Sequence, residues 1–156
     1  METKIIAYHS PEYDEMLALR YKILREPLGL RFSEDDLQRE KDDIFITCCE
    51  NGQIIGCCIL TRLSAETLKL RQMAVDSQWQ GKQVGTKILT FVEQYAINNG
   101  YSCISLHARK TASEFYAKCG YAVSGDEFTE VGIPHVFMEK RLRTPDMGRT
   151  KMSQFS

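Results

Sequence analysis

The stretch Leu70–Leu89, LRQMAVDSQWQGKQVGTKIL, holds the residues whose types and spacing point most directly to chemistry. An apolar, strand-like run ends at Val75, a polar turn follows, and a helical pattern opens between Gly81 and Gly85. The first N–H groups of a helix have no partner within it, and the helix dipole is positive at that end. Such an end takes a phosphate or pyrophosphate. Gly81 and Gly85 let an anion come close to the backbone, while Lys82 and Lys87 add positive charge. Three phosphate-binding patterns compete. A Walker A loop needs G-x-x-x-x-G-K-[ST], and Gly81–Lys87 has the wrong spacing and order. The dinucleotide fingerprint G-x-G-x-x-G is absent. The third pattern is a loop for the pyrophosphate of an acyl-coenzyme A.

These residues need a sheet and a helix to hold them. Lys4–His9 reads as a first strand. Ser10 and Pro11 then give a cap and a proline at the first helical position, followed by Tyr13, Met16, Leu17, Tyr21 and Leu24 at helical spacing. Arg25–Leu30 breaks that helix, and Ser33–Lys41 reads as a short charged one. Ile44–Glu50 and Gln53–Thr61 are strands joined by Asn51-Gly52, a strong hairpin signal. Leu68–Val75 is a third central strand. Val84, Ile88, Phe91, Val92 and Tyr95 form a helical stripe closed by Asn98-Asn99-Gly100. Tyr101–His107 is a strand. Thr111–Glu114 reads as a capping box with Thr111 as N-cap, opening a short helix that ends at Cys119-Gly120. Tyr121–Val123 and Val136–Lys140 are the last strands. This order predicts a single α/β (α+β) domain over 1–142, with one mixed sheet and helices on both faces.

Composition narrows the function. The 156 residues carry 20 Lys+Arg against 21 Asp+Glu, a formal net charge of −1. That balance argues against nucleic acid as a partner. No apolar run approaches the roughly 18–20 residues of a membrane span. The opening METKIIAYHSPEYDE lacks the pattern of a signal peptide, so a cytoplasmic protein with no membrane partner is expected. Cys48, Cys49, Cys57, Cys58, Cys103 and Cys119 include no C-x-x-C and no histidine at ligand spacing. They are expected as thiols packed like small hydrophobes, with no metal. Residues 143–156 read as a polar, mobile tail.

Gln80-Gly81-Lys82-Gln83-Val84-Gly85 resembles the Gln/Arg-x-x-Gly-x-Gly/Ala motif of the GNAT family of N-acetyltransferases. Leu70–Val75 is similar to the strand that pairs with the pantetheine arm in that family. Ala112–Tyr121, ASEFYAKCGY, is similar to the family's A-x-x-F-Y-x-x-x-G-F segment, with one helix and one strand between the two segments. The resemblance covers Leu68–Tyr121 and extends toward Leu142; Leu106–Arg109 and Phe128–His135 are similar to a bacterial subgroup. One departure is Gln83, which stands where the motif has its first Gly and places a side chain close to the expected pyrophosphate.

The resemblance implies a central, mostly antiparallel sheet of about six to seven strands. It implies acetyl-CoA as co-substrate. Met73, Ala74 and Val75 would follow its arm, and Gln80, Gly81, Lys82, Gln83, Val84, Gly85 and Thr86 its pyrophosphate, with Ala112, Phe115 and Lys118 as further contacts. Acetyl would pass directly to a primary amine of a small molecule or protein. Val75 N–H would face the developing oxyanion, and Tyr116 would protonate the leaving thiolate. A carboxylate or imidazole must take the amine's proton. His107, Glu130 and His135 are the leading candidates, with Glu66 and Glu127 behind them. Trp79 reads as a packing anchor or rim contact. Arg20, Arg25 and Arg31, with Phe32, read as a solvated charged face, the alternative being a hold on an anionic acceptor. The last strand, read as an exposed edge, would be the contact of a homodimer. The competing function is a non-catalytic acyl-CoA-binding sensor or partner module; a third is transfer of a longer acyl chain.

Overall fold

The computed structural model describes residues 1–143. The residues 144–156 of the expected tail lie outside that range. The chain forms two compact units, Met1–Arg62 with Leu70–Val92, and Leu63–Lys69 with the described residues from Glu93.

The first unit contains β1 (Glu2–Ile6), α1 (Pro11–Arg20), α2 (Glu34–Gln38), β2 (Ile44–Glu50) and β3 (Gln53–Arg62). It also holds most of β4 (Thr67–Val75) and the opening turns of α3 (Val84–Asn98). Its strands run in the order β1-β2-β3-β4. The expected hairpin is present: Asn51 (φ +52°) and Gly52 (φ +77°) make the turn, and Glu50 pairs with Gln53 across it. Ile44–Cys48 and Ile54–Leu60 are buried without alternation, as strands covered on both faces must be. β1 begins earlier than its sequence suggests. Its register runs from Glu2 opposite Cys49 to Ile6 opposite Phe45, and His9 (φ +63°) already belongs to the turn before α1. Ser10 Oγ caps α1 by accepting from Tyr13 N–H at 3.2 Å. A π-helical turn, Tyr21–Arg25, extends that helix, and α2 is shorter than expected behind a Ser33–Asp36 capping box.

The charged-face reading of the three arginines fails for Arg20. Its side chain is fully buried, and its guanidinium grips Glu40 at 2.9 and 2.6 Å. Tyr13 donates to the same carboxylate at 3.1 Å. The pair ties α1 to the segment that leads into β2. Arg20 and Arg25 each lie 4.6 Å from the Phe32 ring centre, whereas Arg31 is exposed.

The second unit contains β5 (Cys103–Arg109), α4 (Ser113–Lys118), β6 (Ala122–Val123), β7 (Phe128–Glu130) and β8 (Ile133–Arg141). Two expectations are corrected here. The last strand is no exposed edge: β8 pairs antiparallel with β5 along one side and with β6 and β7 along the other. The helix cap at Thr111 is also absent. Lys110–Ala112 forms a 3-10 turn, with Ser113 Oγ bonded to the Lys110 carbonyl at 2.8 Å, and α4 starts after Ala112 with no side-chain cap. The β7–β8 hairpin, turned at Val131 (φ +47°) and Gly132 (φ +80°), brings the described strands to eight, against the expected six to seven. All six cysteines are thiols; four are buried, and Cys49 and Cys119 are half-buried. No described helix is long and apolar enough to cross a membrane.

Arg20→Met leaves the Glu40 carboxylate buried without its cation. The expected cost is about 3–5 kcal/mol in chemical denaturation. Arg20→Met combined with Glu40→Leu should recover most of that loss, because the uncompensated charge goes with it.

Candidate active site

β4 ends at Val75, and Asp76 N–H donates to the Ile55 carbonyl at 2.8 Å, turning the chain away from the sheet. Asp76 Oδ1 accepts from Gln78 N–H at 2.9 Å and caps the 3-10 turn Ser77–Trp79. Gln80 Nε2 donates to the Val75 carbonyl at 3.1 Å. Gln80, expected beside the pyrophosphate, thus has its amide engaged in fastening the loop to the strand end.

The start of α3 is fixed from below. A Cβ built on Gly56 of β3 would meet Val84 Cγ1 at 2.7 Å and Ile88 Cδ1 at 3.0 Å. Only glycine lets α3 rest this close. Sequence reasoning passed over Gly56; the signal was an isolated glycine inside an apolar strand. Val84 is buried, so it offers a ligand its backbone alone. Gly81, Lys82, Gln83 and Thr86 are exposed, and Gly85 is half-buried. No acidic side chain lies in the first turn of α3. The Lys82 ammonium stands 5.6 Å from the Trp79 ring centre, within cation–π range, which gives the half-buried Trp79 a supporting role. Both Gly81 (φ +76°) and Gln83 (φ +70°) are left-handed. On β4, Ala74 is buried, and Met73 and Val75 are half-buried.

In the second unit Tyr116 is 5% exposed, with its ring 5.1 Å from Phe115 and 5.9 Å from Tyr121. Lys140 Nζ donates to the Cys119 carbonyl and to Glu93, each at 2.9 Å, pinning the end of α4. Tyr121 OH donates to Glu93 at 2.9 Å; burial and then the Glu93 carboxylate push its phenol well up, so it stays a donor. Ala112 and Phe115 are half-buried, while Lys118 is exposed and 3.5 Å from Glu114.

The three leading base candidates come together. His107 Nδ1 lies 2.9 Å from Glu130 Oε1, and His135 Nε2 lies 3.8 Å from Glu130 Oε2. His135 is buried, and its Nδ1 faces the Ile133 carbonyl at 3.0 Å, so that nitrogen carries the proton. By the same argument His107 Nδ1–H donates to Glu130, leaving Nε2 of the neutral ring as its basic nitrogen. Phe128 lies edge-on to His107 at 5.0 Å and stacks on His135 at 5.9 Å. Glu127 is instead paired with Lys110 at 2.8 Å, and Glu66 is exposed. Among the described residues no cluster of three or more His, Cys, Asp or Glu has the arrangement of a metal site.

Known proteins resemble this chain in sequence and fold. The family described as "Acetyltransferase (GNAT) domain" matches residues 25–142. The uncharacterised N-acetyltransferase YjcF of Bacillus subtilis is 38% identical over 139 residues, covering 87% of this chain and 97% of that one. The uncharacterised protein YyaT of the same organism is 32% identical over 111 residues, 71% of this chain and 74% of its own. Among solved structures, an N-acetyltransferase so described from Lactobacillus plantarum superposes with a TM-score of 0.79 at 25% identity, covering 92% of this chain and all of that one (100%). An aminoglycoside 6'-N-acetyltransferase complexed with coenzyme A shares the fold, with a TM-score of 0.75 at 17% identity over 94% of this chain and 100% of its own. The fold and the matches define an α/β acetyltransferase class, an open multi-stranded sheet flanked by helices. Within it, this chain belongs to the GNAT acetyltransferase family.

The left-handed backbone at Gln83 gives a physical reason for glycine at that place in the motif. A side chain there costs about 1–2 kcal/mol, and glycine's greater freedom in the unfolded chain returns about 0.4–1 kcal/mol. Gln83→Gly is therefore expected to stabilise the fold by up to about 1 kcal/mol, read as a rise in thermal midpoint.

Proposed function

We propose that this protein is an acetyl-CoA-dependent N-acetyltransferase that passes acetyl directly to a primary amine of a small molecule or protein. The observation that carries the reading is the start of α3. An exposed loop, left-handed at Gly81 and Gln83, leads into a helix start with no carboxylate in its first turn, where the first N–H groups find no partner within the helix. That is the chemistry a pyrophosphate needs. In this reading Lys82 and the backbone from Gly81 to Thr86 take the pyrophosphate, and Met73, Ala74 and Val75 follow the pantetheine arm. Ala112, Phe115 and Lys118 add outer contacts, and Gln80 acts by holding the loop.

The amine nitrogen attacks the thioester carbonyl, and Val75 N–H stabilises the oxyanion. Holding both reactants together supplies several kcal/mol of the barrier. His107 Nε2 accepts the proton that the amine gives up. Glu130 orients that imidazole, and His135 helps set Glu130. When the C–S bond breaks, Tyr116 gives its proton to the thiolate. Full burial of its ring among Phe115 and Tyr121 fits a fixed donor.

Thermal unfolding with acetyl-CoA, CoA, ATP and NAD tests the cofactor. A ligand at about 100 times its Kd adds roughly 2.7 kcal/mol, so the CoA ligands alone should raise the midpoint by several degrees. An equal shift with ATP, or none with CoA, rejects the reading. Tyr116→Phe should keep that shift and lower kcat by about 10²–10⁴-fold; full activity removes Tyr116 from the mechanism. Glu130→Gln should lower kcat, because His107 loses the carboxylate that orients its ring. A CoA-induced shift without transfer to any amine is the signature of the non-catalytic sensor.

A further inference from the structure

Gln72 is anomalous twice over. It lies within β4, yet its backbone is left-handed at φ +55°. Its side-chain Oε1 is buried with no hydrogen-bond partner among the described residues. Left-handed strain at a non-glycine residue persists only where the surrounding structure enforces it, and it gathers at functional sites. A buried carbonyl oxygen without a donor is likewise uncommon. Thr3 Oγ1, Ser105 Oγ and Arg20 Nε also lack partners, but none of those residues has a left-handed backbone. Among the described residues only Gln72 combines an orphaned oxygen with a strained strand, and it does so on the strand that ends at Val75.

From these two features we infer that Gln72 Oε1 receives an N–H of the incoming acceptor amine and so positions the nucleophile. This rests on the transfer reading above. A side-chain carbonyl accepts and never donates, so its missing partner must carry a donor. Of the two reactants, the acyl end of the thioester offers a methyl, a carbonyl and a sulfur, none of them a donor. The amine offers several. The neutrality of the amide also suits the step. A carboxylate at this place would hold the amine as ammonium and withhold its lone pair; an amide oxygen aligns the nitrogen without that penalty. Gln72 is thereby a specificity-determining contact for the acceptor, separate from the groups that move protons.

Two substitutions test this, with thiol release from acetyl-CoA followed for spermidine, a lysine-containing peptide and an aminoglycoside as probe amines. Gln72→Met keeps length and removes the oxygen. It should raise the KM for the amine about tenfold or more, leave the KM for acetyl-CoA and the CoA-induced thermal shift unchanged, and raise the midpoint of the free protein by about 2–4 °C as the orphaned oxygen disappears. Gln72→Glu should bind the amine more tightly but turn over more slowly at neutral pH. A lowered midpoint for Gln72→Met overturns the inference, since the oxygen then has a structural partner. An effect on acetyl-CoA rather than on the amine also overturns it, making Gln72 a contact of the pantetheine amides. Wild-type protein that binds CoA but transfers to no probe overturns the transfer reading itself. Wild-type turnover with an unmoved amine KM in Gln72→Met overturns this inference alone.

Discussion

The close approach of α3 to β3 at Gly56 is the constraint on which the loop before α3 in the first unit depends. Val84 and Ile88 fill the space a side chain at residue 56 would need. Burying Val84 fixes the first helical residue, and the loop before it must then reach that point from Val75 in a few residues. It does so with left-handed backbone at Gly81 and Gln83 and with the Gln80 amide clamped on the Val75 carbonyl. The exposed N–H groups at the helix start are therefore held by packing below and by a hydrogen bond at the side. A site for a flexible, highly charged ligand gains from such preorganisation, because ordering the loop is then not charged against binding.

A second fixed point is the Arg20–Glu40 pair. Its two charges are removed from water, and the desolvation this entails is offset only because both guanidinium contacts and the Tyr13 hydroxyl converge on one carboxylate. Burial and the neighbouring carboxylate hold the Tyr13 phenol well above its usual range, so the donor remains a donor. The exposed pairs differ in kind. Lys118–Glu114, at 3.5 Å in solvent, adds little to stability. Charge type in the sequence did not separate these cases. Arg20 and Arg31 look alike in a helical or loop pattern, and only the three-dimensional partner decides which one is structural.

The elements with a local physical signature were legible. The Asn51-Gly52 hairpin, the Ser10-Pro11 helix start and the apolar stripe of α3 each encode their geometry within a few residues, and the structure follows them closely. The strand-to-helix turn around Gln80–Gly85 was legible for the same reason. What could not be read depended on distant partners. β8 looked like an edge because the strand that covers part of it, β7, is only Phe128–Glu130 and carries no periodicity. Thr111 and Glu114 have the capping-box spacing, but the preceding turn places Ala112 at the helix start instead. His107, Glu130 and His135 were separate candidates in the sequence. The register that sets Arg109 and Phe128 on opposite sides of His135 makes them one cluster.

That cluster also shows how one carboxylate can give two histidines different tasks. His135 is buried and directs its Nδ1–H to the Ile133 carbonyl, with its Nε2 3.8 Å from Glu130. His107 is half-exposed and directs its Nδ1–H to Glu130 at 2.9 Å. In the proposed reading, the half-exposed imidazole of the two is the one an acceptor amine can reach. The buried one serves better as a fixed wall that limits where Glu130 can point. The Phe128 ring is set against both, edge-on to His107 and stacked on His135. Sequence alone offers no ground for preferring either histidine; burial and hydrogen-bond partner tell them apart.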